Sequence, residues 1–191
     1  MLGRLSALLL VVCVSSAWGI PFLRECTNVK VVENFNLDKF MGTWYVYSGY
    51  PAVHNAEQKC QTEVYEKKGD NIVEMKSSSY YTKTGSFDTY KTSARYAAPA
   101  KFAMTFNQEY PNQPNYFVLG TDYEHYAVIY NCMEFDKPAH TEMLWILTRE
   151  RVPQAEYVHA AEEIVKEHHF PTNALFPIDQ RNCLANQYKT L

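Results

Sequence analysis

This 191-residue chain has no apolar run long enough to cross a bilayer: the one over 5–14 is too short and nothing later approaches the length. It has no marked charge of either sign: 18 basic against 21 acidic side chains leave a formal net charge of −3, poor footing for nucleic acid or an anionic membrane. Catalytic signatures are missing too. There is no GxGxxG or P-loop to cradle phosphates, no HExxH to hold zinc and no GxSxG to present a serine nucleophile. Cysteine is sparse and widely spaced, without a CxxC pair, which argues against thioredoxin-type redox chemistry and zinc. No Asn-x-Ser/Thr sequon, internal repeat or low-complexity tract is found.

The first nineteen residues read as a secretory signal: Arg4, an apolar stretch over 5–14, and Ala17-Trp18-Gly19 as a small-x-small cleavage site. Residues 20–191 are then expected to form one secreted, extracellular domain with a sizeable core. Of the five cysteines, Cys13 falls in the signal, leaving Cys26, Cys60, Cys132 and Cys183. Four cysteines in a secreted domain predict two disulfides, with three pairings open. With all four paired, no thiol remains for nucleophilic catalysis.

What the chain does have is strands. A short apolar turn (Phe35, Leu37, Phe40, Met41) runs into Gly42 and then into Trp44 and the β-branched and aromatic residues of a half-buried strand. Further extended runs are predicted over 60–66, 72–81, 87–96, 101–107, 116–121, 126–132 and 142–149. Lys68-Gly69-Asp70-Asn71 and Thr84-Gly85-Ser86 are hairpin signals between them. One segment breaks the pattern: Ala155, Val158, Ala161, Ile164 and Val165 recur at helical spacing, with Pro153 in the first turn and Pro171 beyond the end. His168-His169 at that helix C-terminus suits the dipole better than a metal. The tail from 172 reads as irregular. Eight sequential strands with hairpin connections close most simply into an all-β, antiparallel up-and-down barrel, with the C-terminal α-helix packed outside. At eight strands the interior holds side chains or one small ligand.

Three short stretches then form a constellation. Gly42-Thr43-Trp44 precedes the first strand, Thr121-Asp122-Tyr123 turns between the sixth and seventh, and Arg149 ends the eighth. First and eighth strands are neighbours in a closed barrel, so the planar Arg149 guanidinium can lie across the Trp44 ring and plug one end. These three elements, in this order, resemble those of the lipocalin family. The runs 116–123, 126–132 and 144–147 and the tail Asp179-Gln180-Arg181-Asn182-Cys183 are most similar to its apolipoprotein D branch, with the insect bilin-binding proteins at a greater remove. The resemblance implies the pairings Cys26 to Cys132 and Cys60 to Cys183. It also implies a carrier of a small hydrophobic ligand rather than an enzyme, since the prostaglandin-isomerase type of lipocalin needs a free pocket thiol.

Strand parity turns this fold into an expected lining. With Trp44 and Arg149 inward at the closed end, period two places Val46 and Ser48, and Leu147, Trp145 and Met143, inward as well. Phe102, Met104 and Phe106 form the apolar set of the fifth strand, and the resemblance adds Tyr116, Val118, Gly120, Ile129 and Asn131, with Tyr47 or Tyr50 at the mouth. Aromatic and apolar side chains with a few polar groups are the composition of a small-molecule site. The insect relatives make a biliverdin-type chromophore the first expected ligand, with Lys83, Lys91 or Arg95 to meet its propionates. A fatty acid, sterol, retinoid or carotenoid is the alternative, and a role in protein interaction through the open-end loops is a third. No catalytic cofactor or metal is expected.

Overall fold

A computed structural model describes residues 26–50, 57–105, 110–134 and 140–183. The expected signal over 1–19, and Phe106, lie outside the described residues. Asn36 caps a first helical turn, α1 (Leu37–Phe40), its side-chain oxygen accepting from the Lys39 N–H at 3.1 Å. The chain leaves this turn through Gly42 at φ +95°, a backbone conformation that disfavours any side chain with a Cβ. It then runs antiparallel through β1 (Gly42–Gly49), β2 (Gln58–Lys67), β3 (Ile72–Tyr81), β4 (Ser86–Ala98), β5 (Lys101–Met104), β6 (Tyr116–Thr121), β7 (Tyr126–Glu134) and β8 (His140–Thr148). Each strand pairs with the next, and β8 pairs back onto β1, so the meander closes into the expected eight-stranded barrel.

Two apolar clusters lie on either side of the β6–β8 wall. Outside it, α2 (Ala155–Glu167) presses Ala161 and Val165 against Leu119, Val128, Tyr130, Leu144 and Ile146, the helix stripe read from the sequence. Inside are Tyr116, Val118, Ile129 and Leu147, the opposite parity of those strands, together with Trp44 and Val46 of β1 and Phe102 and Met104 of β5.

Bulges shift this alternation twice where simple period two does not anticipate it. On β1 the register slips between Val46 and Ser48: Val46 sits opposite inward Leu147, but Ser48 sits opposite outward Ile146, and Gly49 opposite inward Trp145. On β6 it slips between Val118 and Gly120, turning Gly120 to the helix, where an added Cβ would lie 2.5 Å from Ile164 Cδ1. Ser48 and Gly120 therefore face outward, against expectation, because each extra residue inverts the phase of the strand beyond it. Tyr47 and Tyr50 lie on the outer face too. Tyr50 packs edge-on against Phe170 at 6.5 Å, so neither tyrosine stands at the mouth.

The tail is more ordered than its sequence suggests. β1 and β2 pair only from Gly42 to Tyr45, against Thr62 to Tyr65, and then part. Their freed backbone groups need partners, and the tail supplies them. β9 (Phe176–Pro177) pairs with Ser48 and Gly49, Ile178 N–H donates to Tyr47 O at 2.9 Å, and Cys60 N–H donates to Asp179 O at 2.9 Å. Gln180 Nε2 donates to both Val46 O (3.0 Å) and Gln61 O (2.8 Å), bridging the gap. The Cys60–Cys183 disulfide holds this tail, and Cys26–Cys132 ties the N-terminal segment to β7.

Candidate functional site: the barrel floor and the cavity above it

Trp44 is fully buried, and its indole N–H donates to Phe40 O at 2.8 Å. Arg149, immediately after β8, lies with its guanidinium carbon 3.6 Å from the Trp44 ring centroid. Its donors reach the carbonyls of Tyr123, Thr43, Lys39, Phe40 and Met41 at 2.8 to 3.3 Å. One planar cation thus ties α1, the start of β1 and the β6–β7 turn to a single point. That turn is built by its own side chains: Thr121 Oγ accepts from Tyr123 N–H and donates to Tyr126 O, and Asp122 accepts from the N–H groups of Glu124, His125 and Tyr126. These backbone bonds, with His125 beside it, hold the Asp122 carboxyl below its ordinary value despite partial burial. Tyr123 closes the corner by accepting the Asn36 N–H on its hydroxyl.

Above the floor is a cavity of about 240 Å³. One wall carries Met104, Tyr116, Met143 and Trp145, and the facing wall carries Gln58, Gln61, Glu63, Met75, Ser77, Ser79, Tyr81, Asp88 and Tyr90. Other inward residues sit elsewhere. Val46, Phe102, Val118, Ile129 and Leu147 are at most 3% exposed and pack with Trp44 in the core beneath the cavity, because α1 and Phe35 fill the lower half of the barrel. Asn131 shares a row with Tyr116 and Met143; it is fully buried, its Nδ2 donating to Asn115 O at 2.7 Å. Of the three cations considered for a bilin, Lys83 meets Glu57, Lys91 lies 3.6 Å from Glu74, and Arg95 donates to Pro111 O; none reaches the cavity.

The polar wall comes from β2, β3 and β4. Trp44 sits opposite Glu63, Glu63 opposite Ser77, and Ser77 opposite Tyr90, so one inward row runs across four strands. Residues directly opposite share a face. Sequence reasoning missed Glu63, although parity carried across from Trp44 to 58–67 points to it. Glu63 is buried, and the Tyr65 hydroxyl donates to its Oε2 at 2.5 Å. With that proton committed, the Tyr116 hydroxyl donates to Tyr65, also at 2.5 Å. Burial pushes the Glu63 carboxyl up to about 7, with the Tyr65 hydrogen bond opposing. Burial next to Glu63 raises both tyrosines well above their ordinary value.

A grouping of Cys132, His140 and Glu142 lies on the outer side of β7 and β8, but the Cys132 sulfur is bonded to Cys26. Glu142 instead accepts from Thr27 N–H and Oγ and from the Tyr130 hydroxyl, a strap for the N-terminal segment.

A closed barrel sealed at one end, with a lined cavity above the seal, defines a binding protein for one small molecule. The chain matches the lipocalin / cytosolic fatty-acid binding protein family over residues 41–182, and it belongs to that family. It is 30% identical over 173 residues to apolipoprotein D of Cavia porcellus, covering 89% of this chain and 90% of that one. Insecticyanin from the tobacco hornworm Manduca sexta has a similar structure, with a TM-score of 0.69 at 26% identity over 84% of this chain and 89% of that one. Apocrustacyanin C1 shares the fold, with a TM-score of 0.73 at 19% identity over 90% of this chain and 97% of the other. The protein is accordingly a non-enzymatic lipocalin carrier of small hydrophobic ligands.

Proposed function

We propose that the protein is a secreted carrier that takes a compact, largely apolar molecule into the open half of the barrel, with Met104, Tyr116, Met143 and Trp145 as its apolar contacts. The observation that carries this reading is the cavity itself: about 240 Å³, set directly above a floor of packed side chains. Small-molecule pockets usually run from about 300 to 1,000 Å³, so this one suits one ring or a fused pair better than an extended chain. Val46, Phe102, Val118, Ile129 and Leu147 then act as the base on which the site rests.

The bilin reading draws on the likeness to the insect proteins. Two features weigh against it. A linear tetrapyrrole is four rings long, and its propionates would meet the carboxylates of Glu63 and Asp88 rather than a cation. A fatty acid meets the same carboxylates. The test is a titration of the purified protein, following Trp145 fluorescence, with biliverdin, retinol, arachidonate, progesterone and small aromatic probes. Quenching by the compact probes, without visible absorbance from bound pigment, is expected. Tight biliverdin binding overturns the compact-ligand reading, and no response to any compound overturns the carrier site.

A further inference from the structure

The cavity is apolar on one wall only. On the other, Glu63 and Asp88 bring two carboxylates, and no Lys, Arg or His stands among the described residues that line it. The two acids differ in position. Asp88 is exposed at the rim, whereas Glu63 is 5% exposed and lies deep, in the same row as Trp44 of the floor. Its one hydrogen bond among the described residues, from Tyr65, engages Oε2 and leaves Oε1 without one. A buried carboxylate with no cation beside it is an expensive arrangement unless something brings the charge.

A second, independent feature points the same way. Gln61, two residues along the same inward face, is 8% exposed and lines the cavity, and its Oε1 has no hydrogen-bond partner. Ser77 Oγ, opposite Glu63 on the same wall, is also buried without a partner and can donate or accept, so among the described residues the wall offers two carbonyl-type acceptors and one hydroxyl and no cationic donor; a buried acceptor without a donor is costly to leave unpaired. Around them stand the rings of Tyr116, Tyr90 and Trp145, whose faces attract cations. A wall of acidic and amide oxygens with aromatic residues beside it and no cation suits a cationic head group better than a carboxylate or a plain hydrocarbon.

Building on the carrier reading, we propose that the ligand is an organic primary amine: a compact apolar body carrying one ammonium, whose N–H groups donate to Glu63 and Gln61 while the body lies against Met104, Met143 and Trp145. An ammonium offers three donors and no acceptor, which suits Glu63 and Gln61 Oε1 and lets the Ser77 hydroxyl accept the third N–H. The cavity holds about eight water-sized groups at roughly 30 Å³ each, room for a phenethyl or short alkyl body. Insertion relieves the Glu63 burial penalty, because the ion pair replaces the missing counter-charge in a site where water does not screen it.

The test uses matched triplets that differ only in the head group: phenethylamine, phenethyl alcohol and hydrocinnamate, and octylamine, octanol and octanoate. Each is titrated into the wild-type protein and into Glu63→Gln, with Trp145 fluorescence and calorimetry as readouts. In the wild type the amine is expected to bind roughly ten- to a hundredfold more tightly than the alcohol, the scale of a charge-assisted hydrogen bond, and the carboxylate more weakly than either. In Glu63→Gln the amine is expected to lose its advantage, so that amine and alcohol affinities converge.

If amine and alcohol bind equally in the wild type, the amine assignment fails and the carrier reading stands. If no member of either triplet binds the folded protein, both fail. A preference for amine that survives in folded Glu63→Gln overturns the role of Glu63.

A pH series on the wild type needs no variant. The groups facing Glu63 are Tyr65 on its own strand, Ser77 from β3, Tyr90 and the rim Asp88 from β4, and Tyr116 from β6; Trp44 of β1 does not titrate. The tyrosines are all held above their ordinary value, so they stay neutral across the range. Amine affinity is expected to drop roughly tenfold or more between about pH 8 and about pH 5.5, as the carboxylate protonates, while alcohol affinity holds. A flat amine profile overturns the proposal.

Discussion

The Arg149 guanidinium carbon lies over the Trp44 indole, 3.6 Å from the ring centroid, and the group's five hydrogen bonds to backbone carbonyls make that contact the knot of the closed end. Neither residue is among those that line the cavity. The pair holds shut the end from which the cavity is measured, so its effects belong to stability.

Arg149→Ala is expected to destabilise the fold by about 2–4 kcal/mol, since it leaves carbonyls of α1, Thr43 and Tyr123 without their donor. Arg149→Lys is expected to recover less than half, because an ammonium cannot stack on the ring and fork to several carbonyls at once. Urea denaturation monitored by Trp fluorescence measures both. Full recovery by lysine would show that charge alone is what matters there.

Removing the tail disulfide with Cys60→Ser and Cys183→Ser opens a loop closed over 123 residues of sequence. On the chain-entropy model such a loop is worth roughly 4–5 kcal/mol. The Gln180 bridge to Val46 O and Gln61 O is expected to loosen with it, so limited proteolysis should cut between β9 and the C-terminus before the barrel opens. Equal proteolysis rates in variant and wild type would show that the hydrogen bonds hold the tail unaided.

At Gly49 an added methyl group strikes the cavity wall. A Cβ there would lie 2.6 Å from Trp145 Cδ1 and 3.1 Å from Leu144 O. Gly49→Ala is therefore expected to push the indole inward, shifting the Trp emission and weakening ligand binding about tenfold or more with the fold retained. Trp145→Ala is expected to weaken binding likewise while far-UV circular dichroism stays as in the wild type. Trp44→Ala is expected to lower the urea midpoint first. The reverse ranking of the two tryptophans would invert the assignment of floor and wall.

Glu63 sets a pH dependence with a definite sign. Its folded value, about 7, lies above the ordinary 4.5, so the folded state holds the proton more tightly than the unfolded chain does. The stability this contributes is complete below about pH 4.5 and is lost as pH rises through about 7. The difference is on the order of 3 kcal/mol. Glu63→Gln keeps an acceptor for Tyr65 without a titrating charge, so it is expected to raise the urea midpoint at about pH 8 and to change it little at about pH 4.5. Glu142 runs the other way: the hydrogen bonds from Thr27 and Tyr130 hold its carboxyl low, and their contribution is lost as pH falls. The wild-type minus variant difference isolates Glu63 from it.

Much of this protein is legible along the chain. Alternating residues from Trp44 to Arg149, the turn signals between them and the helical stripe Ala155 to Val165 are local patterns, and local geometry produces them: period two for strands, 3.6 for the helix. The pairing of Trp44 with Arg149 comes from closure of the sheet, which the order of strands implies. Phase was lost at Ser48 and Gly120, because a bulge adds a residue without leaving a mark in composition.

Glu63 was readable by parity from Trp44, yet in the sequence it looks like any surface acid between Thr62 and Val64. What the residues of this chain determine alone is a twice-stapled barrel with an aromatic interior. Tertiary structure alone decided how much of that interior is filled and which wall is polar. The reason is physical: α1 and Phe35, just before β1, fold under the barrel against Phe102 and Tyr123, which are distant in sequence, and the tail occupies the seam where β1 and β2 part. Only that packing leaves Glu63 and Gln61 facing a space, and burial, unlike alternation, is a property of everything around a residue.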